Sequence, residues 1–462
     1  MTDKIQHSSS FRDPSGYVFT EGNILKRQIS PLYFKQYKAL KESGFYQKLI
    51  KAGLLISHKE ITEDNTGVVI QPEFIPFVTY PYEWSFNQYK EAALLTLKLQ
   101  KFCLDHDFSL KDATAFNVTF HKGKAIFIDT LSFDFYQDNS PWRAYKQFIS
   151  HFFGPLVLAH YHGAQSLKLM HSFIDGIPIK ILSSMLPGKT KLSPFLYSNI
   201  HLLSKYEDKH SEDYKGEVKS GTLSKAAQKK IIKSLYGYIK RLTLKEASEW
   251  GDYYNKTNYT SDAFLQKEKI VIAWVKENKA KTLIDVGGND GTFVRKIDVR
   301  LEQALVCDID NNAVDNNYRE VKRSKEGYMT PFVQDVLNPS ASIGFNNDER
   351  FSFRERLQEF SPDITLALAV IHHISLSGNV PFNKSAEFFA AFSNYLIIEF
   401  PKREDSWVQR LLNAKSEFKG HFDFYNQENF EKAFMHYFTL ERKEVIANSH
   451  RIMYLLKSKN AK

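Results

Sequence analysis

The sequence predicts an α/β protein: a nucleotide-binding sheet in the C-terminal half, preceded by an N-terminal α+β domain. Three observations predict the sheet. The run Lys281-Thr-Leu-Ile-Asp-Val-Gly-Gly-Asn-Asp-Gly-Thr-Phe293 passes from a short apolar stretch carrying Asp285 into a glycine-rich turn. Two further short apolar segments, Ala304–Asp310 and Pro331–Asp335, each end in acids. A fourth, Asp363–Ile374, is strongly apolar and closes on the pair His372-His373.

Leu283–Val286 reads as a strand and Thr292–Ile297 as the start of a helix, so the turn between them opens the first β-turn-α unit of the sheet. Gly287 and Gly291 leave room for a ligand to approach the backbone where a Cβ would obstruct it. Asp308 follows Gly287 by 21 residues, where an acid can take the two hydroxyls of a ribose. Tyr395–Phe400 is a fifth strand ending near Glu399, and Phe438–Ile446 with Ser449–Leu456 reads as a closing antiparallel pair.

These elements in register resemble the class I S-adenosylmethionine (SAM)-dependent methyltransferases, a Rossmann-like fold. The resemblance implies that SAM is the cofactor. It implies that Asp285, Gly287, Gly288, Asn289 and Gly291 form the turn around its methionine part, that Asp308 holds its ribose, and that Asp335 meets the adenine amino group. The chain departs from the family's Asp-x-Gly-x-Gly-x-Gly pattern at Asn289, which stands for the middle glycine. Asn tolerates positive φ better than most residues, so the turn survives. A dinucleotide dehydrogenase would need Gly-x-Gly-x-x-Gly opening the helix. Here the turn contains Asp290, which would repel a pyrophosphate but suits a cationic sulfonium.

With 462 residues the chain exceeds one typical domain. The predicted division is an N-terminal α+β domain over 11–205, a linker and basic helix over 206–249, and the methyltransferase domain over 250–459. Hydrophobic content of 43% supports sizeable cores. The only cysteines are Cys103 and Cys307, and Cys307 falls within a predicted strand, so a disulfide framework is excluded and a reducing cytoplasm is expected. No apolar signal core opens the chain and no stretch has the ~20 apolar residues of a membrane span. The net charge is +9 with a pI near 9.0. The lysines are dispersed, apart from the amphipathic basic helix predicted within 225–245, read as a solvated face ahead of a nucleic-acid patch.

In the N-terminal half, Glu21-Gly-Asn23 and His121-Lys-Gly-Lys124 each read as a hairpin turn. A helix is expected from Pro31, with Ser30 as N-cap, to Ala52, stopped by Gly53. Another is expected over 85–106, a strand over 68–74, and helices through 141–205. Asp112, Asn117 and Asp129 resemble the acid, amide and metal-binding acid of protein and aminoglycoside kinases, with four residues between the first two. In that likeness Lys26 is the phosphate lysine and Glu42 its helix partner. No Gly-rich phosphate loop precedes them, and Asp129 is followed by Thr-Leu without the family's glycine. A structured domain without phosphotransfer is therefore expected.

Over the whole chain, Ser10–Gly16, Tyr80–Phe86, Leu110–Asp112, the glycine turn and Leu396–Lys402 resemble the NoeA-type nodulation methyltransferases. The candidate bases are His372 and His373, at the strand end facing the crevice, and Glu399. Alternation along a strand would send the two histidines to opposite faces. No third ligand stands near them, so no metal is expected. Trp250–Thr257 is expected to close over SAM. The acceptor is expected to be a small molecule or glycan-type metabolite. The alternatives are RNA or protein methylation, a bifunctional kinase–methyltransferase, or a non-catalytic scaffold.

Overall fold

A computed structural model describes residues 4–64, 67–210, 222–244 and 261–460. The chain divides into two compact units, Met1–Glu246 with Ser342–Phe351, and Ala247–Ala341 with Ser352–Lys462. The expected closing segment Trp250–Thr257, and residues 211–221 and 245–249 of the expected linker, lie outside the described residues.

The first unit opens on an antiparallel sheet of five strands: β1 (Lys4–Gln6), β2 (Gly16–Glu21), β3 (Ile24–Ile29), β4 (His58–Asp64) and β5 (Gly67–Pro72), in the order β1-β2-β3-β5-β4. The β2–β3 hairpin forms where Glu21-Gly-Asn23 predicts it. β1 lies in a segment that reads as polar, and its side chains are exposed, so periodicity gives no sign of it. The helix expected over 31–52 is interrupted. A short 3-10 turn at Pro31–Tyr33 leads into Phe34–Glu42, then Gly44 at φ +67° bends the chain into Phe45–Lys51. Ser30 does not cap it; its hydroxyl donates to the Pro14 carbonyl at 2.6 Å. Ser85 does cap Phe86–Asp105, in a reciprocal box with Gln88.

Small strands β6 (Phe108–Leu110), β7 (Val118–His121), β8 (Lys124–Phe127) and β9 (Phe133–Phe135) follow, with β7–β8 the second hairpin. Residues 141–205 form short helices, two of them π-helical turns at Ile149–Phe153 and Tyr197–His201. The basic helix spans Lys225–Arg241 and packs along Phe86–Asp105 as part of the first unit, burying Ile232, Leu235 and Ile239. Its apolar stripe explains why it joins the unit instead of forming part of a linker. Lys229 pairs with Asp105 at 2.6 Å, and Lys225 pairs with Asp107, so part of its charge is neutralised locally.

Of the kinase-like residues, Asp129 pairs with Arg27. Arg27 Nη1 lies 2.5 Å from Asp129, whose carboxylate also accepts from Ser132 Oγ and the Leu131 amide. Burial would raise the Asp129 carboxyl, but these partners outweigh it and hold it below the usual range. Lys26, one residue earlier on β3, pairs with Glu21, because strand alternation points it the other way. Asp112 accepts from the Thr114 amide at 3.0 Å and Gln147 Nε2 at 2.7 Å.

The segment Ser342–Phe351 belongs to this unit although it is synthesised within the second. Glu349 accepts from Arg12 Nε at 2.8 Å and Nη2 at 2.5 Å, the Phe351 amide donates to Tyr80 Oη at 3.2 Å, and Arg350 lies 4.8 Å above the Phe116 ring.

The second unit is built on seven strands: β10 (Thr282–Val286), β11 (Gln303–Asp308), β12 (Met329–Val333), β13 (Ile364–Ala367), β14 (Tyr395–Pro401), β15 (Phe438–Val445) and β16 (Arg451–Ser458). Their order is β12-β11-β10-β13-β14-β16-β15, parallel except for β16 and β15, which form the expected closing pair. Helices Ser261–Glu277 and Thr292–Lys296 cover one face, where Val271, Trp274, Val275 and Val294 pack against Leu283, Val306 and Leu366. Each such aliphatic side chain contributes roughly 1.5–3 kcal/mol on full burial, which pins the helix preceding β10 to the sheet. The order reverses between β10 and β13, and ligands bind at the carboxyl ends of strands at such a switch point.

Candidate functional site

At that switch point lies a cavity of about 280 Å³. Asp285, Gly287, Gly288 and Asn289 line it from the first turn, Asp308 from the end of β11, Asp335 from beyond β12 and His373 from beyond β13. The turn is tight because its glycines have no room for side chains. A Cβ on Gly287, at φ +72°, would sit 2.6 Å from Val370 Cγ2, and one on Gly288 would sit 2.8 Å from the Asp285 carboxyl. Asn289 takes the left-handed conformation at φ 49°, as its substitution for glycine requires. Gly291 turns the chain into Thr292–Lys296 from behind, without lining the cavity.

Asp308 holds this turn to the second strand. One oxygen accepts from the Asn289 amide and the other from the Asp310 amide, each at 2.9 Å. The Asp335 carboxylate accepts from the Leu337 amide at 2.9 Å. Asp285 is 1% exposed and its Oδ2 has no hydrogen-bond partner. A buried carboxylate oxygen without a donor is costly, so an orphan of this kind at a cavity wall marks the place of a ligand's donor.

The sequence is 31% identical over 461 residues to the nodulation protein NoeA of Rhizobium meliloti (strain 1021), covering 97% of this chain and 95% of that protein. The chain belongs to the NoeA family. No family model matches it. Among solved structures, the magnesium protoporphyrin IX methyltransferase ChlM of Synechocystis PCC 6803 is 14% identical, with a TM-score of 0.31 over 45% of this chain and 93% of that one. The N-methyltransferase NodS of Bradyrhizobium japonicum WM9 is 10% identical, with a TM-score of 0.28 over 43% and 98%. The fold assignment rests on the strand order and the turn instead. By these, the second unit of this NoeA-family chain has the fold of a class I SAM-dependent methyltransferase domain, a fold whose expected cofactor is SAM. The orphaned Asp285 oxygen and the glycine turn fit that group.

The three candidate bases have different surroundings. The strand preceding the histidines ends at Ala367, short of the expected Ile374. Ala369 takes φ 57°, a strained value for a residue with a Cβ, and the chain then enters a helix that becomes π-helical at His373–Ser377. The histidines therefore separate by a helical step and not by strand alternation. His373 reaches the cavity, while His372 is 2% exposed behind it, its ring centroid 4.1 Å from that of His373. Burial, then Arg451, lowers the His373 pKa, so its imidazole is neutral and able to accept a proton.

Glu399 is 0% exposed and does not line the cavity. Its carboxylate lies 2.6 Å from Lys267 Nζ and 3.0 Å from Arg451 Nη1, and Arg451 Nε lies 2.8 Å from Asp405. A carboxylate held by two cations is a poor base. Among the described residues no group of three or more His, Cys, Asp or Glu is placed to hold a metal.

Sequence reasoning missed several cavity residues: Lys267, Phe293, Ile309, Gln334, Leu337 and Ser377. A signal for Lys267 exists in the helix pattern, because Ala263, Lys267, Ile270, Val271 and Trp274 fall on one helical stripe and all are buried. A lysine on an apolar stripe is rare enough to single out.

The acids predict a pH dependence. Burial raises the Asp285 carboxyl to about 7, against the opposing pull of Lys267, and burial raises Asp308 to about 6. Both carboxyls are raised above their unfolded values, so the folded free protein retains protons that the unfolded chain has released. Their contribution to the free protein's stability therefore falls as pH rises from the ordinary carboxylate range towards 7. A cationic ligand favours the ionised acids. Calorimetric SAM affinity is expected to rise from about pH 5 through pH 7 and to level off only above the raised Asp285 value. A flat profile would contradict protonated acids in the free site.

Proposed function

We propose that this protein transfers the methyl group of SAM to a small-molecule or glycan-type acceptor, with His373 as the group that takes the acceptor's proton. The observation that supports this most is the position of His373: a neutral imidazole on the cavity wall, beyond β13, beside Ile374 and Ser377. SAM supplies an electrophilic methyl carbon on a good leaving group. The chain's own residues then align the acceptor, exclude water and receive the proton. Asp285 and the turn around Gly287–Asn289 would hold the methionine part, Asp308 the ribose and Asp335 the adenine amino group. The apolar Ile309, Leu337 and Val370 provide walls for an uncharged ring or chain. Among the described residues the cavity wall carries a single Lys and no Arg, which favours a small acceptor over a nucleic-acid backbone.

The test is His373→Ala. With the acceptor found by comparing metabolites in cells with and without the protein, kcat is expected to fall about 100-fold while SAM affinity stays nearly unchanged. His372→Ala is the matched control, since His372 does not reach the cavity. Unchanged turnover in the His373 variant would leave alignment alone as the source of catalysis.

A further inference from the structure

A second, smaller pocket of about 150 Å³ lies wholly within the first unit and shares no residue with the site described above. Its floor is the polar face of the two-stranded sheet β6–β9. Ser109 lies opposite Asp134 in that pairing, and the ladder continues past the strand ends through the Lys111 and Tyr136 amides. Strand alternation therefore puts Ser109, Lys111, Asp134 and Tyr136 on one face, and all four line the pocket. Phe108, Leu110 and Phe133 are buried in the core. The wall is the loop from Gln137 to Arg143, and the basic helix holds it in place. Gln228 Nε2 donates to the Ser140 carbonyl at 2.6 Å, and the Leu223 amide donates to the Asn139 carbonyl at 2.8 Å.

Three charged side chains line this pocket, and none is paired with another. The half-buried Lys111 ammonium donates to the Ser15 hydroxyl at 2.8 Å and lies 4.6 Å from the centre of the Tyr33 ring, with no carboxylate partner among the described residues. Arg143 is exposed, and its side chain makes no hydrogen bond or ion pair among the described residues. One oxygen of Asp134 accepts from the Phe135 amide at 2.8 Å and Gln36 Nε2 at 3.3 Å, and the other has no donor among the described residues.

Each charge selects a different part of a ligand. A guanidinium fork matches two oxygens of a phosphate or carboxylate, and an ammonium adds a point charge to the same group. A carboxylate oxygen accepts from hydroxyls. Asp134 would repel a bare anion, and a neutral sugar would leave both cations uncompensated. The volume falls below the ~300 Å³ at which pockets for larger organic ligands begin, so the pocket takes one compact ligand and not a whole nucleotide.

We propose that this pocket binds a monosaccharide-sized polyol carrying one anionic group, with Arg143 and Lys111 on the anion and Asp134 on the hydroxyls. Sugar phosphates and sugar acids share that chemistry. The site stands on the first unit alone and is independent of the methyltransferase reading. It gives the basic helix a role as well, since Gln228 fixes the loop that carries Arg143.

The test is calorimetry on the full chain with glucose-6-phosphate, glucuronate, glucose and inorganic phosphate. At least one of the two anionic sugars is expected to bind with a Kd of about 1 mM or tighter, and about tenfold or more ahead of both glucose and phosphate. The preference between the two anionic sugars tells a phosphate ligand from a carboxylate one. Arg143→Gln, at an exposed position, is expected to weaken the preferred sugar about tenfold, the loss of a charged hydrogen bond, with the thermal unfolding midpoint unchanged. Asp134→Asn is expected to weaken the sugar without weakening inorganic phosphate, which narrows the gap between them. If Asp134→Asn does not fold, the wild-type comparison of sugar with phosphate decides. The proposal is overturned by failure of both anionic sugars to bind in that range, by inorganic phosphate binding as tightly as the sugar, or by wild-type affinity in the Arg143 variant.

Discussion

Arg451→Met is expected to lower the stability of the methyltransferase unit by about 3 kcal/mol, near the lower end for breaking a buried ion pair. Arg451 is 2% exposed and bridges Glu399 and Asp405, which are buried as well. Removing the guanidinium leaves two carboxylates without their shared cation. The loss is moderated because Glu399 keeps Lys267, and Asp405 keeps the Trp407 amide at 2.9 Å as a helix cap. Methionine fills much of the same volume, so the loss reports charge more than packing. Denaturant unfolding of the full chain measures it. Lys443→Met is the contrast, because its pair with Glu431 is one-third exposed and is expected to contribute less than about 1 kcal/mol. Equal midpoints for the two variants would show that the buried chain of charges contributes no more than a surface pair.

Asp308→Ala is expected to weaken SAM binding by about 1–3 kcal/mol, or roughly 5- to 150-fold. Two effects add. The acceptor for the ribose hydroxyls is lost, and so are the bonds from the Asn289 and Asp310 amides that set the turn. Asp308→Asn separates them, because it keeps one acceptor oxygen while removing the charge. Calorimetry with S-adenosylhomocysteine gives the same comparison without turnover. An Ala variant that binds as tightly as the wild type would remove Asp308 from the cofactor site.

The parts of the site legible in the sequence are those carried by neighbouring residues. The turn from Asp285 to Gly291, and the acids at the ends of β11 and just beyond β12, depend on local backbone geometry, and apolar runs ending in acids report it. The histidine pair reads as part of a strand because its apolar run continues without a break to Ile374. The structure ends that strand at Ala367 with a left-handed alanine, a conformation that no alanine advertises in sequence. Glu399 reads as a free acid until its partner is known, and that partner is 52 residues away on an antiparallel strand. Arg27 and Asp129 meet only because β3 and the loop beyond β8 come together, so Lys26 looked as suitable as its neighbour. Contacts of long sequence separation leave no periodic trace. Lys267 is the exception, since a charged residue on a buried helical stripe shows in sequence that something must face it.

The discontinuity of the first unit bears on how the protein is made. Glu349 is synthesised 337 residues after Arg12, the side chain it pairs with. The segment Ser342–Phe351 leaves the ribosome about a hundred residues after Glu246, a delay of roughly 5–20 s at ordinary elongation rates. Through that interval β1–β5 and the helices behind them can assemble, but Arg12, Tyr80 and Phe116 wait for partners not yet translated. The N-terminal unit is therefore finished only after the first strands of the methyltransferase sheet exist. A nascent chain stalled in that interval would expose the Phe116 ring face that the late segment covers and leave Arg12 without its carboxylate, which makes it the stage most open to capture by chaperones.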